Sequence, residues 1–367
     1  MNLYLDVGAT HIKVMYGDKV DIFQYLTKEY VNIREFSEFI RKILFSYDFD
    51  KLYTCSQMHG FAIEGHPNYI SWMCEDVEPF DTPDLKNTGL FSCHGLPYFN
   101  SQLFDGGRMI NLVEACLDEG YHVSHETLEC GTGFYDLVNR QQKESRFELP
   151  KVVRYEPTVC GKICNAIVYA PLGDLQSAVM GIDQELEEGD IIINMGTGSQ
   201  IIQIGRTFRE DTENRTLFDY ILNCVTHIPS GRSMKFYKDL LNLPEFNELE
   251  YNDILNSNEI IKLGYFKSAY GFDDYGGIRG ISDTTTKYTL ACSLIRCYVE
   301  QYVDILNDKF KNRCRIFLTG GISKNIPIIK RLFEYHLSEG VIVEDNDTLK
   351  GLYKYSLYDD TRFWFNR

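Results

Sequence analysis

Long apolar runs are missing from the sequence: no stretch approaches the roughly 18 residues that a membrane-spanning helix needs. The first residues also lack the basic segment and apolar core of a secretion signal. Positive charge is scarce, with 37 Lys and Arg against 53 Asp and Glu and a formal net charge of −16. Because nucleic-acid binding depends on clustered cations, we expect a cytoplasmic protein that binds neither membranes nor nucleic acid and whose partner is a small molecule.

No Cys-x-x-Cys pair occurs among the 11 cysteines, which are scattered along the chain. An odd and scattered set argues against a disulfide framework. Cys160 and Cys164 have the spacing of one helical face, but no companion His or Cys pair lies near them in the sequence. We therefore expect reduced thiols and no zinc site.

The common phosphate-binding loops are absent too. The pattern Gly-x-x-x-x-Gly-Lys-Ser/Thr does not occur, and neither do the loops of protein kinases. If this protein holds ATP, it does so by other means.

Two segments of similar layout are present, each with a strand, a glycine turn and a second strand. Their glycines, Gly8 and Gly196, are 188 residues apart (196 − 8) in a chain of 367 residues. This spacing favours a duplicated architecture with domains over residues 1–185 and 186–367 and a boundary near Asp183–Gly189. The four strands are predicted over residues 2–7, 11–16, 190–195 and 200–204.

The rest of the chain alternates between helical and strand-like hydrophobic spacing, which predicts a mixed α/β protein. Gly320 and Gly321 stand between a strand and a helix, where the backbone can approach a ligand closely and the helix start favours negative charge. The alternative there is a simple tight turn. Strands are predicted over 51–55 and 315–319, and helices over 35–44, 108–117, 288–306 and 327–337.

The first glycine turn carries residues suited to phosphate chemistry. Gly8 lets the backbone turn close to an anion, Thr10 adds a hydroxyl donor, and Lys13 adds positive charge. Asp6 is suited to hold Mg²⁺ through water, since hard cations prefer oxygen ligands. Phosphoryl transfer needs such donors, a divalent cation and a positioned acceptor hydroxyl.

The segment Asp6–Lys13, the run Gly196-Thr197-Gly198-Ser199 and the pair Gly320-Gly321 follow the order and rough spacing of the actin-like ATPase-domain superfamily. They resemble its first phosphate, second phosphate and adenosine motifs, and Asn325 fits the pattern Gly-Gly-x-x-x-Asn. The resemblance implies two actin-like (ribonuclease H-like) α/β domains with mixed sheets and a cleft between them, and the binding of ATP and Mg²⁺. The implied ATP-binding residues are Asp6, Gly8, Ala9, Thr10, Lys13, Gly196, Thr197, Gly198, Ser199, Gly320, Gly321 and Asn325.

The segment Cys55–Gly60 is similar to the Ser/Gly-Gln-Met-His-Gly segment of FGGY carbohydrate kinases. The resemblance implies that Gln57 and His59 hydrogen-bond a sugar and that Met58 forms a wall of its pocket. The alternative is a strand end with Met58 packed in the core and His59 satisfied by the backbone.

Trp72 begins a segment that departs from this family. FGGY kinases have Trp-x-Asp-x-Arg here, whereas this chain has Cys74 in place of the Asp and Asp76 in place of the Arg. Only Trp72 is therefore carried over as a sugar-binding residue.

The segment Gly173–Val179 resembles the Gly-Asp-Leu-Gln-x-x-Val segment of sedoheptulokinases, whose Asp is the catalytic base. The match implies that Asp174 is the base and contacts the sugar. Independently, Asp174 follows an apolar strand and turn that would hold a carboxylate at a cleft wall. The alternative is a cap for a helix that begins at Leu175.

Two further segments receive little weight. Thr226–Arg232 departs from a glycine-rich segment of sedoheptulokinases, and Ser230 and Gly231 are kept only as neighbours of nucleotide or substrate. The acidic run Glu344–Asp347 is typical of a solvated surface, and we assign no chemistry to it.

Taken together, the patterns predict an ATP- and Mg²⁺-dependent sugar kinase that acts on a ketose, with sedoheptulose as the first candidate. Residues 1–185 would bind sugar and phosphate and residues 186–367 would bind ATP. The alternatives are a kinase of xylulose or of a heptose derivative, and an ATP-binding regulatory protein without catalysis. A homodimer is left open.

Overall fold

The computed structural model describes residues 1–8, 10–74, 98–99, 102, 104, 106–196, 198–264 and 275–358. No helix in these ranges is long and apolar enough to cross a membrane. The strands are β1 (Asn2–Val7), β2 (His11–Tyr16), β3 (Lys19–Gln24), β4 (Tyr30–Asn32), β5 (Lys51–Ser56), β6 (Ala62–Ile63), β7 (Asn68–Ile70), β8 (Met109–Ile110), β9 (Glu119–Gly120), β10 (Val123–His125), β11 (Tyr135–Asp136), β12 (Gln141–Gln142), β13 (Lys151–Val153), β14 (Val159–Ile163), β15 (Ala166–Tyr169), β16 (Leu172–Gly173), β17 (Ile191–Met195), β18 (Ser199–Gly205), β19 (Glu213–Leu217), β20 (Tyr220–Ile228), β21 (Ile260–Lys262), β22 (Gly277–Arg279), β23 (Ile316–Thr319) and β24 (Val341–Val343). The helices are α1 (Ile33–Leu44), α2 (Glu126–Glu129), α3 (Asp174–Gly181), α4 (Gly231–Leu241), α5 (Tyr251–Leu255), α6 (Lys287–Lys309), α7 (Gly321–Asn325), α8 (Ile328–Leu337) and α9 (Thr348–Ser356), with short 3-10 helices over Glu114–Cys116 and Phe246–Glu248.

Contacts within the chain divide it into two compact units. Unit 1 comprises Met1–Glu185, Arg206–Leu222 and the residues from Asn346 onward, and unit 2 comprises Leu186–Gly205 and Asn223–Asp345. The first change of unit falls within the predicted boundary region, but the chain then returns to unit 1 twice. A division into two continuous domains, 1–185 and 186–367, does not include these returns. The returns depend on tertiary contacts, which leave no local signal in the sequence.

Unit 1 is built on a mixed sheet in the order β3-β2-β1-β5-β15-β14-β9, with β16 also paired to β5. β1 forms an antiparallel hairpin with β2 and a parallel pair with β5, so that Asp6 lies opposite Lys13 on one side and Cys55 on the other. β16 also runs parallel to β5, with Gly173 beside Ser56. The carboxyl ends of β1, β5 and β16 therefore meet at one edge, which is where open α/β sheets commonly bind ligands.

Helix α1 packs against the core of unit 1 with one apolar stripe, as its residue spacing predicts. Asn32 caps it, because its side chain accepts a hydrogen bond from the amide of Glu35 at 3.0 Å. The buried stripe consists of Phe36, Ile40, Ile43 and Leu44.

Unit 2 repeats this plan. β17 forms an antiparallel hairpin with β18 and a parallel pair with β23, which in turn pairs in parallel with β24. The 23-residue helix α6 begins at a capping box of Thr286 and Thr289 and buries Tyr298 and Tyr302 in the core of this unit. Mixed sheets in both units confirm the α/β fold class and its duplicated layout.

Most elements predicted from hydrophobic spacing are confirmed, with small differences at their ends. The helix predicted over residues 108–117 is wrong: this segment contains β8 and a 3-10 turn over Glu114–Cys116. The side chain of Asn111 accepts hydrogen bonds from the amides of Val113 and Glu114 at 3.0 and 2.9 Å, which gives the backbone an alternative to a helix. β8 itself pairs with β6, a tertiary contact that overrides the helical spacing.

Candidate active site

The first glycine turn follows β1 at the sheet edge of unit 1. The amide of Gly8 donates to the carbonyl of His11 at 3.1 Å. A Cβ atom on Gly8 would lie 2.8 Å from that carbonyl oxygen, so the close approach requires glycine. Thr10 is exposed in the turn, with its hydroxyl 3.0 Å from Nδ1 of His11, whereas Ala9 lies outside the described residues.

Asp6 is almost fully buried, at 4% exposure, and both of its carboxylate oxygens have partners. Oδ2 accepts from the hydroxyl of Thr348 at 2.5 Å and lies 3.3 Å from Nζ of Lys13. Oδ1 accepts from Sγ of Cys55 at 3.4 Å. Burial and the charges of Asp6 and Asp174 raise the pKa of the Cys55 thiol well above its usual range, so the thiol stays protonated and remains a donor.

Lys13 supplies the positive charge that balances this carboxylate. Burial would lower the pKa of Lys13, but the negative charges of Asp6 and Asp347 outweigh that effect and raise it. The lysine therefore stays charged at neutral pH beside the glycine turn.

Asp174 is the first residue of α3 and directly follows β16. Its carboxylate is partly buried, and Oδ1 accepts from the amide of Leu175 at 2.8 Å. Burial, together with the nearby charge of Asp6, raises the pKa of Asp174 to about 6, while Arg215 opposes the shift. At neutral pH this group is mostly ionised, yet it binds a proton more readily than an ordinary aspartate. The helix begins at Asp174 itself with Gly173 at the cap position, one residue earlier than the capping alternative assumed.

Gln57, Met58 and His59 follow β5 at the same edge, and all three are buried. Nε2 of Gln57 donates to the hydroxyl of Thr27 at 3.2 Å. Oε1 of Gln57 has no hydrogen-bond partner among the described residues, so its capacity to accept a hydrogen bond is unused. His59 has a positive φ of 67°, and its Nε2 lies 3.5 Å from Oε1 of Glu213.

The space lined by these three residues is small. A cavity of about 10 Å³ borders Gln57, Met58 and His59, which is room for about one water molecule. This cavity is too small for a sugar.

Trp72 lies in a turn two residues beyond β7. A Cβ atom on Gly60 would lie only 2.4 Å from the carbonyl oxygen of Ile70, so the strand before this turn packs tightly against the Gln57–Gly60 segment. Ser71 holds the turn by donating to the carbonyl of Lys28 at 2.9 Å. Asp76 lies outside the described residues.

Glu213 and Arg215 of β19 belong to unit 1 and were not predicted. Nε and Nη2 of Arg215 donate to Oε1 of Glu213 at 2.9 and 2.6 Å, and Nη1 lies 3.7 Å from Sδ of Met58. The strand is anchored next to Asp174, because Gln176 of α3 donates to the carbonyl of Thr216 at 3.1 Å. No motif marks this pair in the sequence.

Unit 2 has its own glycine-lined edge at the carboxyl ends of β17 and β23. The amide of Gly196 donates to the carbonyl of Gly198 at 3.2 Å, and the amide of Gly231, at the start of α4, donates to Gly196 at 3.1 Å. Gly320 has a φ of 89°, and a Cβ atom there would lie 2.5 Å from the carbonyl oxygen of Met195. Backbone amides and helix starts at one edge are suited to hold phosphate groups.

The remaining predicted residues of unit 2 border this edge. Ser199 is buried and donates to the carbonyl of Asn194, while Gly198 and Gly321 are exposed. Asn325 is exposed in the last turn of α7. Thr197 lies outside the described residues.

A metal ion was expected at Asp6 through water. Among the described residues, no group of three or more His, Cys, Asp and Glu side chains is arranged to hold a metal. Mg²⁺ usually keeps several waters and binds through one or two carboxylates together with substrate phosphates. The carboxylate of Asp6, with that of Asp174 nearby, fits that water-bridged mode and does not fit a cage built by protein ligands alone.

Comparison by sequence finds no match among protein-family models or among curated proteins. Comparison by structure finds carbohydrate kinases. A ligand-bound xylulose kinase from Lactobacillus acidophilus has a TM-score of 0.75 at 15% identity over 97% of this chain and 89% of that chain. A gluconate kinase from the same organism has a TM-score of 0.76 at 15% identity over 97% and 88%. Glycerol kinase of Plasmodium falciparum with ADP has a TM-score of 0.73 at 16% identity over 98% and 91%. At these identities the likeness establishes the fold.

Proposed function

We propose that this chain is an ATP-dependent carbohydrate kinase of the FGGY type, which transfers the γ-phosphoryl group to a hydroxyl of a small sugar. The observation that carries the proposal is Asp174, a partly buried carboxylate with a pKa of about 6. It lies in the same unit as Asp6 and the Gln57–His59 segment, at the edge where three strands end. The shared fold with xylulose, gluconate and glycerol kinases supports this choice.

Asp174 acts as the general base. It accepts the proton of the acceptor hydroxyl while that oxygen forms a bond to the γ-phosphorus, and the bond from phosphorus to the leaving ADP oxygen breaks. Such base assistance is typically worth roughly 10²–10⁴-fold in rate. In a loose transition state, part of this value comes from orienting the acceptor oxygen.

Gln57 and His59 bind the sugar by hydrogen bonds, and Met58 forms an apolar wall of its pocket. The unpartnered Oε1 of Gln57 supports this role, because a buried acceptor gains most from a ligand hydroxyl. The contact between Nε2 of His59 and Oε1 of Glu213 holds the imidazole ring in one orientation. Trp72 is kept as a further contact on the adjacent turn.

The glycine edge of unit 2 binds ATP through Gly196, Gly198, Ser199, Gly320 and Gly321, with Asn325 at the adenosine side. Within unit 1, the turn at Gly8, with Thr10 and Lys13, is suited to contact phosphate. Mg²⁺ bound with the nucleotide would neutralise phosphate charge, and Asp6 would hold it through water. The ADP in the glycerol kinase of similar fold supports this assignment.

Sedoheptulose remains the first substrate candidate, on the resemblance of residues 173–179, and the cytoplasm the expected location. Xylulose, another ketose or a heptose derivative is the alternative, because the segment after Trp72 departs from the FGGY pattern. ADP release from purified protein with a panel of C3–C7 polyols, sugars and aldonic acids decides among them. We expect turnover with one ketose at a rate far above that of the others.

A regulatory protein that binds ATP without catalysis is the second candidate. The observation that favours it is the water-sized cavity at Gln57–His59, which leaves little room there for a sugar. Tight ATP binding without turnover of any compound in the panel would support this candidate and reject the kinase.

A further inference from the structure

Helix α9, the last helix of the described chain, reaches the site through one side chain. The hydroxyl of Thr348, its first residue, donates to Oδ2 of Asp6 at 2.5 Å. We propose that Thr348 is a positioning residue for Asp6 and that α9 is therefore part of the phosphate-transfer site. This inference rests on the role given to Asp6 in the proposed function.

The contact is one of three that hold the carboxylate of Asp6. Lys13 shares Oδ2 with Thr348, and Cys55 donates to Oδ1 from the opposite side. A carboxylate with donors on both oxygens cannot rotate freely about its Cβ–Cγ bond. Among the three donors, Thr348 makes the shortest contact and has no net charge of its own, so it fixes direction without changing the local charge.

Helix α9 is itself held rigidly against α3, the helix that begins with Asp174. A Cβ atom on Gly351 would lie 1.8 Å from the carbonyl oxygen of Ser177, and one on Gly181 would lie 2.2 Å from that of Asp347. The two backbones therefore touch, which only glycine permits at these positions. The hydroxyl of Ser177 also donates to the carbonyl of Thr348 at 2.9 Å.

The geometry links the two carboxylates of the site through one helix. α9 binds Asp6 by a side chain and supports the helix of Asp174 by backbone packing. Asp347, the cap of α9, accepts from the amide of Leu349 at 2.8 Å and thus fixes where the helix begins. The acidic run that was assigned to a solvated surface contains this cap, so its last residue has a structural role at the site.

The opposite end of the same helix offers a matched control. The hydroxyl of Ser356 lies 2.9 Å from the hydroxyl of Tyr4, which is on the same strand as Asp6. Both ends of α9 thus contact β1 through a hydroxyl, but only Thr348 contacts a carboxylate of the site. A general loss of helix docking should affect both contacts alike.

The test compares Thr348→Val, which keeps the shape and removes the hydroxyl, with Thr348→Ser and Ser356→Ala. Because a hydrogen bond to a charged group is lost, we expect Thr348→Val to lower kcat by roughly 10- to 100-fold with the KM for sugar changed less than about twofold. Thr348→Ser should recover kcat to within about threefold, and Ser356→Ala should leave kcat unchanged even where it lowers Tm. Equal effects of Thr348→Val and Ser356→Ala on kcat, or wild-type kcat in Thr348→Val, would overturn the inference.

A second readout does not need turnover. Calorimetric titration with ATP, with and without Mg²⁺, should show that Thr348→Val loses most of the gain in affinity that Mg²⁺ provides, while affinity without Mg²⁺ stays the same. An unchanged gain would overturn the inference even if the protein phosphorylates no sugar. Turnover by the wild type together with full activity of Thr348→Val would reject the role of Thr348 and leave the proposed kinase standing.

Discussion

The β1–β2 hairpin of unit 1 and the β17–β18 hairpin of unit 2 share a backbone plan and differ in charge. In the first, Asp6 stands two residues before the glycine and lies opposite Lys13. In the second, Asn194 stands two residues before the glycine and lies opposite Gln200. Both turns are suited to phosphate, but only the charged one has a carboxylate for a water-bridged cation. The duplicated plan therefore gives two turns of the same backbone layout with different charge.

A network of neutral hydroxyl groups adjoins the Gly196 turn of unit 2 through Ser230, the residue before Gly231. The hydroxyl of Ser230 lies 3.0 Å from that of Tyr298, which accepts from Tyr302 at 3.1 Å. Burial raises the pKa of Tyr298 well above its usual range, so this network carries no charge at neutral pH. Lys13 adds a full positive charge at the Gly8 turn, whereas this hydroxyl network adds none at the Gly196 turn.

The largest expected effect comes from replacing the proposed base, Asp174, which lies in unit 1. Asp174→Asn should lower the rate of sugar-dependent ADP release by roughly 10²–10⁴-fold, because the base is lost. ATP affinity, measured by calorimetry, should stay nearly unchanged, since the proposed ATP-binding residues Gly196, Gly198 and Gly320 belong to unit 2. Sugar-dependent ADP release near the wild-type rate would show that Asp174 is not the base.

Exchanging the charge between the two hairpins tests the comparison directly. Asp6→Asn should lower kcat on the order of a hundredfold, because the cation loses an orienting carboxylate. Asn194→Asp should weaken ATP binding by roughly tenfold, about 1.4 kcal/mol, because it places negative charge near the phosphates. Initial rates and ATP titrations measure both effects.

Gln203→Glu is the control for this exchange. It adds the same charge to β18, but at the end of the hairpin far from the glycine, where Gln203 lies opposite Ile191. ATP affinity should be unaffected. If Asn194→Asp binds ATP as tightly as this control, the Gly196 turn does not contact the phosphates.

The two turn glycines should also differ in their tolerance of a methyl group. Gly8→Ala should destabilise the protein by about 1–2 kcal/mol, since its Cβ would lie 2.8 Å from a carbonyl oxygen. At Gly196 the nearest atom is at 3.4 Å, so Gly196→Ala should cost less than about 0.5 kcal/mol, whereas Gly196→Val should damage ATP binding itself. Denaturant unfolding measures the first two changes, and equal losses for both alanine variants would contradict the difference.

The smallest expected effect is a shift in the pH profile. With the pKa of Asp174 at about 6, kcat/KM should fall on the acid side as the base becomes protonated. Arg215 lowers this pKa, so Arg215→Gln should move the acid limb to higher pH, and Arg215→Lys should move it less. A limb that stays in place in Arg215→Gln would show that Arg215 does not act on the base.

Much of the fold was predictable because its signals are local. Strand alternation, glycine turns and helical spacing operate over a few residues, and they correctly placed both hairpins and the long helix α6. The segment 108–117 shows the limit of such signals. Its helical spacing is real, but pairing of β8 with β6 and the side-chain contacts of Asn111 produce a different structure.

The site was predictable only in part. The positions of Asp6, Gln57, His59 and Asp174 follow from resemblance, and strand pairing brings their elements to one edge of unit 1. Glu213 and Arg215 were missed, because β19 comes from a segment that follows the second hairpin in sequence and returns to unit 1 in space.

Local sequence alone determined where the glycine turns and most strands stand, because turn chemistry and periodicity depend on neighbouring residues. Tertiary structure decided which side chains form hydrogen bonds with the carboxylates of the candidate site. Thr348 is 342 positions from Asp6, and their hydrogen bond depends on glycine-mediated contact between α3 and α9. No pattern within either segment encodes that contact, since its energy exists only when both helices are in place.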